Sequence, residues 1–458
     1  MKKSTGTALA AALVLGLAGC GGGGGGGGGS GVPLLPIVNA PPPPPAPAPP
    51  AVAELKLTVE IDGSAATPDS SGKYAVAPGQ LVAVKASDSA AWLGSAGGSG
   101  VTRTDVDTGT AQWISRFANP GATGAGGYKL VANASDNRSV ELNFTVGTGD
   151  YGNGDYMVFA ANGSRQKLHV DFDAKTYSVT DAAGDKTSGT FSMGIHGWMF
   201  TSSRVVGTNN TGFTALKDTF VGAFPFAAAF TTPVSYKTVP FVATRAFVVS
   251  PDKLDGTYDR ARIEFSGTGA ESAIAQIQIS GGGTVMKQCN DLQIYRIENC
   301  PSGSVTTSVV AADAEPGMWT LKDATTGTLL GRFSIANVEG DKVYLSAGVA
   351  PITSSQILSV GVPAAASYAA FDSGGWTTAG TTDFSNVTPT QYTLLSTGPV
   401  PTTTLALSAL TGSSPTGIRL GVSGADSYFA MRSSRIELLI GARSPSPQHG
   451  FLHIGVTF

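Results

Sequence analysis

The sequence predicts an all-β protein, and three observations predict it. Only 13% of the 458 residues are charged while 61 are glycine, and runs of Glu, Lys, Leu and Ala that would favour helix are missing. Apolar residues recur at every second position in one segment after another, the period of a strand with one face in a core. Clusters of Gly, Asn, Asp and Pro separate those segments, as frequent tight turns require. The expected architecture is an N-terminal β-sandwich followed by two or three small antiparallel barrel or sandwich units.

The chain opens with Lys2 and Lys3, an apolar run over 8–17 too short to span a bilayer, and small residues before Cys20. That pattern predicts a secretory signal at 1–19 rather than a transmembrane helix. Leu17-Ala18-Gly19-Cys20 resembles the lipobox of bacterial lipoproteins. The resemblance implies that Cys20 carries diacylglycerol through a thioether, that the signal is cut before it and that its new amino group is acylated. Several acyl chains hold a protein to a membrane far more firmly than one. Gly21 stands where lipoproteins retained at the inner membrane carry Asp, so the same resemblance points to the outer membrane, with the membrane as a partner through the lipid.

Residues 20–50 form a tether. Positions 21–29 are all glycine, and prolines fill 41–45, 47, 49 and 50. About ten Gly/Ser residues coil over about 17–19 Å, and a similar length of polyproline adds about 30 Å. A glycine run after the lipid cysteine resembles the tethers of Gram-negative surface lipoproteins of the transferrin-binding and factor-H-binding classes. It carries no binding residue over to this chain.

Residues 51–147 read as the sandwich. Leu55, Leu57, Val59 and Ile61 alternate with Glu54, Lys56, Thr58 and Glu60, and the pattern continues at 74–76, 82–84, 113–117, 128–132 and 140–146. Gly127-Tyr128-Lys129-Leu130 resembles the tyrosine corner of immunoglobulin-like domains, with Leu130 where antibody domains have a cysteine. The resemblance implies an immunoglobulin-like module, in bacteria usually a spacer or adhesive unit.

A first barrel-like unit is expected at 148–250, with strands near 156–161, 167–172, 176–180, 189–193, 198–205 and 239–249. A second, at 251–350, has candidates near 275–279, 305–310, 318–321, 330–335 and 343–346. Gly154-Asp155-Tyr156 and Gly256-Thr257-Tyr258 open the two series alike, a hint of related units. A third unit, 351–458, has strands near 403–407, 417–422 and 436–440. It ends on Leu452, Ile454, Val456 and Phe458, alternating with His453, Gly455 and Thr457. That ending resembles the β-signal of outer-membrane barrels, although most strands look too short for a transmembrane barrel. One large domain after Gly147 is the alternative.

The formal net charge of −3 and the scatter of Lys and Arg argue against nucleic acid as a partner. Besides Cys20 the chain has Cys289 and Cys300, which an oxidising compartment would join. Bonded Cα atoms lie about 4.4–6.8 Å apart, so residues 290–299 must double back. In that loop Tyr295 and Arg296 are the candidate ligand contacts, being types enriched at binding hot spots; the plainer reading is a stapled hairpin with Leu292, Ile294 and Ile297 packed beneath.

Nothing predicts a cofactor, metal site or catalytic set. His449 and His453 lack a third ligand, and His169 and His196 have no motif around them. Phe371-Asp372-Ser373-Gly374-Gly375 resembles the nucleophile motif of chymotrypsin-like proteases, but without a base nearby it reads as a turn. Asp150, Asn153 and Asp155, and likewise Asp105 and Asp107, read as Asx-rich loops without EF-hand spacing. Gly184-Asp185-Lys186-Thr187 resembles the end of a phosphate-binding loop, broken by Asp185. The expectation is a non-enzymatic lipoprotein of the cell envelope that contacts a protein or glycan through its β-domain loops. The alternatives are a secreted-type hydrolase of polysaccharide or peptide, or a passive envelope scaffold.

Overall fold

The computed structural model describes residues 53–458 apart from 98–99, 121, 182–183, 195–196, 205–210, 228–235, 267–268, 351–354, 397–401 and 411. The signal peptide, Cys20, the tether and His196 lie outside the described residues. The protein is all-β; helix among the described residues is limited to short 3-10 turns at Pro251–Lys253, Ile297–Asn299 and Ser302–Ser304.

The sandwich has strands β1 (Leu57–Ile61), β2 (Ser64–Ala65), β3 (Lys73–Val76), β4 (Leu81–Ala86), β5 (Ala90–Ala96), β6 (Thr102–Thr108), β7 (Gln112–Ala118), β8 (Gly126–Ala134) and β9 (Ser139–Val146). They form two sheets, β2-β1-β4-β7-β6 and β3-β9-β8-β5. With β1 and β4 to β9 taken as strands A to G, the order is A-B-E-D against G-F-C, that of constant-type immunoglobulin sandwiches. Alternation sets the buried face: Val82, Val84, Trp113 and Phe117 of one sheet meet Tyr128, Leu130, Phe144 and Val146 of the other. Tyr128 departs from a tyrosine corner, because its hydroxyl accepts from Arg103 Nη1 at 2.5 Å instead of bonding to backbone.

Three closed barrels follow. The first has β10 (Gly154–Ala160), β11 (Arg165–Asp171), β12 (Thr176–Thr180), β13 (Lys186–Gly194), β14 (Gly197–Thr201), β15 (Gly212–Ala215), β16 (Thr219–Ala227) and β17 (Tyr236–Thr244). The second has β18 (Gly256–Ser266), β19 (Gly269–Ser280), β20 (Val285–Cys289), β21 (Val305–Ala312), β22 (Trp319–Asp323), β23 (Leu329–Val338), β24 (Asp341–Val349) and β25 (Gln356–Pro363). The third has β26 (Phe371–Thr377), β27 (Thr382–Val387), β28 (Gln391–Ser396), β29 (Thr403–Ala409), β30 (Arg419–Ser423), β31 (Asp426–Arg432), β32 (Ile436–Gly441) and β33 (Leu452–Thr457). In each, every strand pairs with the next and the first closes on the last. The second barrel runs past the boundary at 350 expected from the sequence, because the free edge of β18 is satisfied only by β25.

Eight strands enclose just enough room for side chains to fill. The first barrel is filled by aromatic rings: Phe200 and Phe213 lie 4.8 Å apart and Tyr177 meets Phe224 edge-on at 5.6 Å. In the second, Phe333 stacks on Tyr344 at 5.1 Å. The similar openings have a shared purpose, since Tyr156 donates to the Gly152 carbonyl at 2.9 Å and Tyr258 to that of Leu254 at 3.2 Å. Outside, the barrels meet in one apolar layer containing Val221 and Val242 of the first, Leu358 and Val360 of the second, and Trp376 and Ile454 of the third. Both faces of β33 are therefore buried, His453 inward and Ile454 against neighbouring barrels; its alternation records packing between barrels, not contact with lipid.

The sandwich is fixed to the first barrel by a buried polar cluster. Arg116 of β7 donates to the carbonyls of Gly79, at 2.7 Å, and Arg245. Arg245 pairs with Asp218 at 2.9 Å and donates to the carbonyls of Asn153 and Tyr151 at 2.6 and 2.5 Å. Its guanidinium lies over the rings of Tyr151 and Tyr156, and the Tyr151 hydroxyl donates to Asp218 at 2.8 Å. Gly79 is required where it stands: its φ is +77°, and a Cβ would come within 2.1 Å of the Asn153 carbonyl.

Arg116 Nε lies 3.8 Å from Asp218, so one carboxylate serves two buried guanidiniums. Asp218→Ala is therefore expected to lower the unfolding free energy by about 3–5 kcal/mol, the range for stripping a buried charge of its partner. Urea denaturation followed by tryptophan fluorescence measures it; a loss within error of zero would contradict the assigned role.

Candidate functional site

A cleft of about 520 Å³ opens where the sandwich, the first barrel and the second barrel meet. Its first wall is the outer face of the five-stranded sheet, where alternation turns Leu81, Ala83 and Ile114 away from the sandwich core and into the gap. The second wall is the rim of the first barrel, with Tyr156, Met157 and Lys167. The third is the turn before β22, with Glu315, Pro316 and Met318. An apolar floor under a rim of paired charges is the composition of a ligand site.

The rim is electrostatically ordered. Glu60 pairs with Lys85 at 2.7 Å and Glu315 with Arg165 at 3.0 Å, while Asp62 accepts from Gln80 and from the Leu81 amide. Asp155 meets His169 Nδ1 at 2.6 Å. That bond holds the Asp155 carboxyl below its ordinary value and the His169 imidazole above its own. Deeper in, burial and then the neighbouring Arg245 push the Arg116 guanidinium down to about 10.

The disulfide Cys289–Cys300 is formed, with Cα atoms 5.8 Å apart. The loop it closes is a wedge between the second and third barrels. Ile294 packs on the shared apolar layer, Ile297 is buried and its amide donates to Gln276 Oε1 at 2.9 Å. The Arg296 amide donates to the Ser413 carbonyl of the third barrel. Leu292 points to solvent, so only the isoleucines fit the packed-hairpin reading. The Tyr295 hydroxyl donates to Gln293 within the loop and the Arg296 side chain faces Glu298 at 3.5 Å. Neither lines the cleft.

Asp105 and Asp107 lie on β6, a strand rather than a loop, bulged between them. Asp107 accepts from Ser250 at 2.5 Å and so ties the sandwich to the linker after the first barrel. Asp150 accepts from the Gly152 amide, and Asn153 bridges the Phe172 amide and Asp173. Residues 150–153 thus form a structured joint. Gly184 and Asp185 sit in a turn closed by Asp181, and Lys186 opens β13. Among the described residues no three His, Cys, Asp or Glu side chains gather as a metal site.

The segment expected to be a turn at 371–375 is instead β26, and it enters a polar cluster inside the third barrel. Ser373 and Tyr392 both donate to the carboxyl of Glu437. His453 Nδ1 lies 3.4 Å from the Tyr392 hydroxyl and 3.8 Å from Glu437, and its Nε2 has no hydrogen-bond partner. The glycines make room: a Cβ on Gly375 would stand 2.7 Å from His453 Nε2. All four side chains are wholly enclosed, so Ser373 is a hydrogen-bond donor that no substrate reaches. His449 lies on an exposed turn, bonded to the Ser446 carbonyl.

Burial raises Glu437 to about 7 and lowers His453 to about 3. The sign of each effect on stability follows from proton counts. Glu437, raised, contributes stability that is full below its unfolded value of 4.5 and lost as pH rises toward 7. His453, lowered, contributes stability that is full above its unfolded value of 6.5 and lost as pH falls toward 3. Between 4.5 and 6.5 the folded barrel keeps the glutamate proton while the unfolded chain keeps the histidine proton, so the two slopes cancel.

Glu437→Gln removes the compensating member of the pair and is therefore expected to lose stability relative to the wild type as pH falls from 6.5 to 4.5. Denaturation midpoints across that range would show it, and a parallel profile in both proteins would refute the coupling. Replacing Cys289 and Cys300 together by serine is expected to cost about 3 kcal/mol through loop entropy, read by the same titrations at neutral pH. No known protein-family model matches this chain, and no curated protein matches it either.

Proposed function

We propose that the chain is a lipid-anchored binding protein of the bacterial outer membrane, held by Cys20, and that it takes its ligand in the cleft between the sandwich and the first two barrels. The observation that carries the reading is the cleft itself. A gap of about 520 Å³ between rigidly joined bodies, with an apolar floor and an ordered charged rim, is preorganised to receive a protein segment or a glycan. The strand order of the sandwich supports an immunoglobulin-like module as one of its walls.

Binding is favoured over hydrolysis by the state of the carboxyls. A glycosidase acid needs a raised value beside a second carboxylate. Glu60, Asp62, Asp155 and Glu315 at the rim are each engaged by a donor or a cation. The carboxyls that burial does raise, Asp259 to about 6 and Glu437 to about 7, lie away from the cleft.

Two measurements test the reading. A clickable fatty acid should label the wild type and leave Cys20→Ala unlabelled, with the variant moving out of the membrane fraction. Ala83→Trp, which plants an indole on the cleft wall, should cut capture of envelope protein or glycan about tenfold with the melting temperature unchanged. An unlabelled wild type, or undiminished capture, would overturn the anchor or the site respectively.

A further inference from the structure

The cleft does not end at the barrel rim. Asp155 and Lys167 line both the cleft and a second, open pocket of about 290 Å³ on the outer wall of the first barrel, so the two cavities adjoin at those residues. Register determines what that wall presents. Asp155 stands opposite His169 and His169 opposite Ser178 in one cross-strand row. Lys167 stands opposite Thr180 and Thr180 opposite Lys186 in the next. Neighbouring strands are about 4.8 Å apart, so the two lysines spring from positions on either side of the same threonine and line one pocket. No carboxylate among the described residues lies within ion-pairing distance of either lysine, and Asp155 is already committed to His169. Ser178 is buried and lines the same pocket as the lysines.

Resting on the proposed cleft, we infer that the ligand is an acidic glycan: its sugar backbone lies on the apolar floor and one of its carboxylate or sulfate groups sits between Lys167 and Lys186. Charge complementarity points to an anion between the lysines, since the two ammonium groups outnumber the one carboxylate lining the pocket, Asp155, which is bonded to His169. The hydroxyl rows of β12 and β13, with Ser178, Thr180, Ser188 and Thr190 facing outward, suit a chain of sugars. The second pocket, unlike a protein hot spot, is lined by no Phe, Tyr, Trp or Arg among the described residues.

The test uses the full chain in mild detergent, titrated calorimetrically with an oligogalacturonate hexamer, a sulfated oligosaccharide of equal length and a neutral maltohexaose. At least one acidic probe should bind about tenfold more tightly than the neutral one and lose that margin at high salt. Lys167→Gln combined with Lys186→Gln should abolish the margin with the melting temperature unchanged; which acidic probe prevails separates carboxylate from sulfate. Equal binding of acidic and neutral probes, failure of both acidic probes, or a double variant that keeps the margin would overturn the inference. In the first and third cases, loss of binding in Ala83→Trp would still uphold the cleft. Binding of every probe undisturbed by Ala83→Trp would remove the cleft as well.

Discussion

Two arginines sharing one aspartate hold the working geometry of this protein. Arg116 comes from the sandwich, Arg245 from the end of the first barrel, and Asp218 from the turn before β16. A buried pair of like charges would repel strongly, yet the surrounding backbone offsets it. The Gly79, Tyr151, Asn153 and Arg245 carbonyls each accept from a guanidinium nitrogen, and arginine suits this because its planar fork presents several donors in fixed directions. The cluster stands beside the cleft, so the angle between sandwich and barrel, and with it the cleft's width, is set by these buried, mutually bonded groups.

A second constraint comes from stacking closed barrels. A lone barrel in water needs one apolar face per strand, whereas strands shared between barrels need two. β16 and β17 are buried on both faces for almost their whole length, and so is β32. Where a wall faces water the pattern reverts to alternation, as in β13, whose outward Lys186, Ser188 and Thr190 are exposed. The same distinction explains the two kinds of interior. Rings fill the first barrel, whereas the third encloses Glu437 and His453, where burial raises the glutamate to about 7 and keeps the histidine uncharged.

The fold was largely legible because period-two alternation is a local property of the chain. The span 176–180 matches β12 residue for residue, and the doubling-back at Cys289–Cys300 follows from bond geometry. The boundary at 350 was not, since closure depends on an edge a hundred residues away. The cleft was illegible for the same reason: Arg116, Arg245 and Asp218 meet across more than a hundred positions of chain. A faint signal did exist. Arg116 and Glu437 are each the one charged residue of a strand rich in apolar side chains, and a lone charge there must be paired or neutralised once folded. Tyr295 and Arg296 drew attention as residue types, but type says nothing about whether a loop faces solvent or wedges two domains apart.

Function in such an assembly belongs to the joints rather than to any one barrel. Among the described residues the barrel interiors are packed with the protein's own side chains. The cleft lies where three convex bodies meet, and its chemistry is inherited from their outer faces: apolar from the sandwich sheet, cationic and hydroxylated from the first barrel, mixed from the second. Such a site needs no mobile lid. It requires that the bodies stay in register, which the shared apolar layer, the wedge at 290–299 and the Arg116–Asp218–Arg245 cluster each enforce from a different side.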